Sequence, residues 1–120
     1  MFRLDPNPEF WWPVVVRRPD EGKPGEMAEH QFEARFKWLD DEAYAAWLAE
    51  AREKQLADRD AALHVLTAFR NVLQEDGTPM PADEAGIKRL LAQQGVATAV
   101  IAAYFESRDK AAQKNLPRPR

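Results

Sequence analysis

The stretch His30–Leu39, His-Gln-Phe-Glu-Ala-Arg-Phe-Lys-Trp-Leu, constrains the fold more than any other part of the chain. Phe32, Ala34, Phe36 and Trp38 alternate with Gln31, Glu33, Arg35 and Lys37, the pattern of a strand with one face buried and one face wet. It runs directly into Asp40-Asp41-Glu42. An Asp there accepts from a free helix N–H, and three carboxylates suit the positive end of a helix dipole. The sheet therefore ends and a helix begins at Asp40. Leu39 and Tyr44 are spaced as the two halves of a hydrophobic staple about that cap.

A strand with one apolar face needs a partner. Phe10-Trp11-Trp12-Pro13-Val14-Val15-Val16 is aromatic and β-branched, and reads as the first strand of an antiparallel ribbon spanning 10–39. Pro13 has no N–H to give to a ladder, which puts that strand at a sheet edge or in a bulge. Pro19–Gly25 is turn-forming, and the polar residues up to Glu29 extend it as an exposed hairpin loop. Upstream, Pro6 and Pro8 around Asn7 make an extended lead-in.

From Asp40 to Glu75 there is neither Gly nor Pro, so helix is the expectation. Tyr44, Trp47, Leu48 and Ala51 mark one apolar stripe; Ala62, Val65, Leu66, Phe69, Val72 and Leu73 mark a second. The polar stretch between them predicts two helices, the second capped by Asp58 or Asp60, with one bent helix as the alternative. Asp76-Gly77-Thr78-Pro79-Met80-Pro81 is a stop. A third helix is expected over Asp83–Gln93 and a fourth over Val96–Ala112, the fourth apolar over more than half its circumference. The fold class is thus α+β: a two-stranded antiparallel ribbon followed by about four helices. It forms a single domain over 1–116, with 40–114 helical and 117–120 a disordered tail.

Composition restricts function by exclusion. With no cysteine there is no disulfide framework, thiol nucleophile or cysteine-bound zinc. His30 and His64 lack ligand spacing, and the acidic trio is explained by a helix start, so no metal site is expected. No nucleophile elbow or glycine-rich phosphate loop is present, which points to a non-catalytic protein without cofactors. The formal net charge of -3 disfavours nucleic acid; no window is long and apolar enough for a membrane span, and the expected compartment is the cytoplasm. Four tryptophans and six phenylalanines exceed what a ribbon and four short helices can cover. Self-association or a groove for an apolar segment of another protein would absorb that surplus.

Several stretches, taken in order, resemble a phage tail assembly chaperone family, the small proteins encoded before the tape measure gene of long-tailed phages and prophages. They are Trp12–Val16, Phe32–Lys37, Asp76–Pro81, Leu90-Leu91, Gly95-Val96, Ala102–Phe105 and Lys114-Asn115. The chain departs from the family pattern at Ala68-Phe69, in place of Gly-Trp, and at Pro81-Ala82-Asp83, in place of Pro-Phe-Ser. The resemblance implies binding of the tape measure protein in the host bacterial cytoplasm, with the tail tube protein as a second partner. It also implies a longer frameshifted form: Gln113-Lys114-Asn115 can be encoded as CAA AAA AAC, which contains a repeated-A slippery heptamer. Residues expected at the partner contact are Trp11 and Trp12 on the ribbon and Ile101, Tyr104 and Phe105 on the last helix. The rival expectations are a tail-completion or ring-forming subunit and, less in keeping with the charge, a nucleic-acid-binding regulator.

Overall fold

The computed structural model describes residues 2–115; the expected tail at 117–120 lies outside them. Strands β1 (Glu9–Pro19) and β2 (Met27–Lys37) form an antiparallel hairpin whose register runs without a slip from Glu9↔Lys37 to Pro19↔Met27. Both strands are longer at the turn end than the sequence pattern indicates, and β2 stops at Lys37, so Trp38 leaves the sheet. The turn is correspondingly shorter than expected. The Asp20 N–H donates to the Glu26 carbonyl at 2.8 Å, the Asp20 carboxylate accepts from the Gly22 N–H, and Gly25 supplies the left-handed φ of 88°.

Hydrogen-bond phase at the two ends of the hairpin fixes the exposed edge of β1. Asp20 N–H to Glu26 O at one end and Trp38 N–H to Pro8 O at the other make the even-numbered β1 residues the bonded ones. The odd-numbered residues, from Glu9 to Pro19, turn their backbone groups to the free edge, and there Pro13 and Pro19 have no N–H to offer.

The expected two-stranded ribbon is in fact a three-stranded sheet in the order β1-β2-β3. Strand β3 (Leu66–Arg70) occupies part of the stripe read as helix. The reason is a bulge: Arg35 pairs with Ala68 but Phe36 pairs with Leu66, leaving Thr67 as an extra residue whose hydroxyl donates to the Arg35 carbonyl at 3.1 Å. With that residue inserted, Leu66 and Phe69 both face inward although three apart, a spacing that imitates a helical turn.

Helices α1 (Asp41–Glu53) and α2 (Asp58–Val65) are separate, divided at Gln55, which has φ 51°. Asp40 caps α1 as expected, accepting from the Ala43 N–H at 2.7 Å, and Leu39 and Tyr44 on either side of the cap both pack against the core. The cap of α2 is Ala57, without a side-chain bond. Asp58 instead accepts from the Thr98 hydroxyl at 2.8 Å and ties α2 to the last helix. Helix α3 (Glu84–Leu91) is capped by Asp83, and α4 (Val96–Lys114) begins after Gly95, at φ 80°.

Helix α4 packs along β1 and against α2, and α3 lies beside β3. Between helices and sheet lies one core that includes Val14, Phe32, Phe36, Trp47, Val65, Phe69, Leu91, Val100 and Tyr104. Among the described residues, no helix is long and apolar enough to cross a membrane.

Candidate partner-binding surface

Aromatic side chains meet where α4 crosses the end of the hairpin. The Tyr104 ring lies 5.1 Å from Phe36, 5.4 Å from Trp47 and 6.4 Å from Phe10. It is fully buried, its hydroxyl donates to the Lys37 carbonyl at 2.9 Å, and burial pushes its pKa above the ordinary phenol value. Trp47 is likewise enclosed, and its indole N–H donates to the Ala61 carbonyl, joining α1 to α2.

One turn on, Arg108 binds the junction between sheet and helices. Its guanidinium donates to the Leu39 carbonyl at 2.8 Å and lies 3.9 Å above Tyr44 and 4.9 Å from the Trp38 ring. It also approaches Asp41 at 3.6 Å. A charge this enclosed is tolerated because a carbonyl, a carboxylate and two π-faces replace its water.

The five residues expected at the contact do not form one surface. Tyr104 belongs to the interior, because the hairpin and α1 cover that side of α4 and leave it no exposed surface to offer a partner. Ile101 and Phe105 are half-buried neighbours on α4, with Phe105 6.0 Å from Trp47 and 6.5 Å from Tyr44. Trp12 is half-buried on the inward face of β1, 5.9 Å from the Lys110 ammonium, with an indole N–H that is enclosed and unbonded. Trp11, one residue earlier, lies on the opposite face of the sheet.

That outer face is charged and internally paired. Arg70 stacks 4.1 Å above Trp11 and reaches the Glu33 carboxylate at 2.9 Å, while Arg35 pairs with Glu9 at 3.5 Å. The hydrogen bond from Arg70 holds the Glu33 carboxyl below its ordinary range, against the opposing effect of desolvation. Trp11 is therefore occupied by its own chain's cations.

The freest apolar groups lie elsewhere. Phe2 is 88% exposed and Leu4 85%, and with Trp38, Leu39 and Ala43 they line an open groove of about 810 Å3. A smaller depression of about 520 Å3 at the other end is floored by Val16, Phe32, Leu90 and Val96, with exposed Leu73 at its lip. The sequence offered one signal for the first groove: two large apolar residues placed just before a proline-rich segment. Leu73 falls on the second apolar stripe of the sequence, which a helix would cover, but here it lies past β3 and outside any helix.

Among the described residues, no group of three or more His, Cys, Asp or Glu is placed to hold a metal ion. Comparison with protein-family models, with curated proteins and with solved structures gives no match.

Proposed function

We propose that this chain is a non-catalytic tail assembly chaperone of a long-tailed phage or prophage, binding and solubilising the tape measure protein in the host bacterial cytoplasm. The reading rests on the ordered resemblance from Trp12–Val16 to Lys114-Asn115. The observation that supports it from the fold is the apolar surface left open at both ends of the molecule, at Phe2, Leu4 and Trp38 and at Met27 and Leu73. A holder of a long apolar helix needs such surface, because only a ligand-binding face stabilises its partner by mass action.

Co-expression with the long helical protein encoded downstream tests the reading. The expected result is that the long protein becomes soluble only with this chain and that the two elute together. If the long protein stays insoluble while this chain elutes alone as a discrete ring, the reading fails and the chain is a structural tail subunit. A second co-expression, with Leu73→Asp, bears on the open surface: Leu73 is 64% exposed, so a partner contact there predicts loss of co-purification with retained folding.

A further inference from the structure

The two margins of the sheet are finished differently. The β1 margin carries Pro13 and Pro19. On the other margin β3 pairs with Glu33–Phe36 alone, so the first half of β2 has no third strand beside it. Asn71, at φ 65°, turns the chain away from the sheet there and leads it into the Leu73↔Pro79 bridge. Because the even-numbered β1 residues are the bonded ones, and Val16 pairs with His30 and Arg18 with Ala28, the odd-numbered residues of β2 turn their N–H and C=O groups away from β1. Glu33 and Arg35 direct theirs to β3; among the described residues, Met27, Glu29 and Gln31 meet no strand. This margin opens into the depression of about 520 Å3 floored by Val16, Phe32, Leu90 and Val96, and Glu29 and Gln31 help to line it. Arg18 lines it too. Its guanidinium makes one long contact, 3.4 Å to the Gln94 carbonyl, and among the described residues it forms no ion pair, whereas Glu29, the one carboxylate of the lining, is held by Arg17 at 3.2 Å.

We propose that the Met27–Gln31 margin of β2 takes up an extended segment of a partner protein as an added strand, antiparallel to β2 and in line with β3. Free backbone donors and acceptors at alternate residues are recognised by another extended backbone, and the neighbouring depression selects among its side chains. The register states which. A residue opposite His30 shares the inward face with His30 and Phe32, so an apolar side chain there enters the depression. Two residues later the segment lies opposite Ala28, whose methyl group leaves Arg18 of β1 room to reach across, so a carboxylate there meets the unpaired cation. The occupant is therefore an extended apolar-any-acidic sequence with N–H groups opposite Glu29 and Gln31. This inference does not rest on the chaperone reading and survives its failure.

Amide hydrogen exchange of the full chain, followed by NMR with the peptide acetyl-Thr-Ile-Thr-Glu-Thr-amide as probe, tests it. The Glu29 and Gln31 amides are expected to exchange freely in the chain alone and to become protected as peptide is added, while those of His30 and Phe32, already bonded to β1, are unchanged. N-methylation of the first two threonines, which removes the donors opposite Gln31 and Glu29, should weaken binding by about tenfold or more. Replacing the peptide's glutamate by lysine should weaken it by roughly threefold, and Arg18→Glu in the chain should reverse that preference. Gln31→Pro closes this margin as Pro13 closes the other, and should abolish binding while the bonds to β1 through His30 and Phe32 persist. Absence of protection with peptide up to its solubility limit overturns the proposal. So does equal protection by the N-methylated peptide, or protection that rises with the concentration of the chain alone, which would make a second copy the occupant.

Discussion

At the scale of single residues, Tyr104 shows how position overrides character. Its side chain is the hub of the aromatic cluster, and its hydroxyl holds the carbonyl of the last residue of β2. Because burial raises its pKa above 10.0, the folded state favours the neutral phenol. Stability from this group is complete below its ordinary pKa and is lost as pH climbs toward and through the higher folded value. Tyr104→Phe should cost about 1 kcal/mol near neutrality, the worth of one hydrogen bond. It should also make the fall in melting temperature above about pH 10 shallower than in the parent. Equal slopes in the two proteins would show that Tyr104 does not titrate with unfolding. In the sequence, Tyr104 could be assigned to an apolar helix face but not to a side of it, since α4 is apolar over more than half its circumference and only the hairpin determines which part is covered.

At the scale of elements, what was legible follows from local chemistry. The alternation in Phe32–Trp38, the cap at Asp40 and the break before Asp58 each depend on neighbours in the chain, and each is found at or close to its expected place. Strand β3 was not legible, because a bulge at Thr67 sets Leu66 and Phe69 three apart on one face and so reproduces a helical repeat. The exposed apolar surface was legible only in that apolar residues outnumber the space to bury them; their placement depends on long-range packing. One close approach is testable. Gly86, in the first turn of α3, donates its N–H to the Asp83 cap at 2.7 Å, and a Cβ built there collides with the Pro81 carbonyl oxygen. Gly86→Ala should therefore cost about 1–3 kcal/mol, although alanine is the better helix former, because the Pro81–Asp83 backbone has to move. An unchanged or raised melting temperature would mean that this turn yields freely.

At the scale of the whole molecule, α4 unites the parts. It packs on β1 and α2, is bonded through Tyr104 and Arg108 to Lys37 and Leu39, and through Thr98 to Asp58. A chain joined in this way should unfold as one unit, so tryptophan fluorescence and far-UV dichroism are expected to give coincident transitions in urea. Separate midpoints would mean that the hairpin melts independently of the helices.

The prolines on the free edge of β1 have a further meaning for life in a crowded cell. A protein that keeps oily surface open must meet copies of itself constantly, and ladders of strands are the commonest way such meetings become irreversible. With Pro13 and Pro19 turned outward, an approaching strand finds gaps where two donors should be, so any ladder along the margin is broken. The sheet is thereby a poor template for fibril growth on that side, because a ladder begun there is interrupted at two places along the strand.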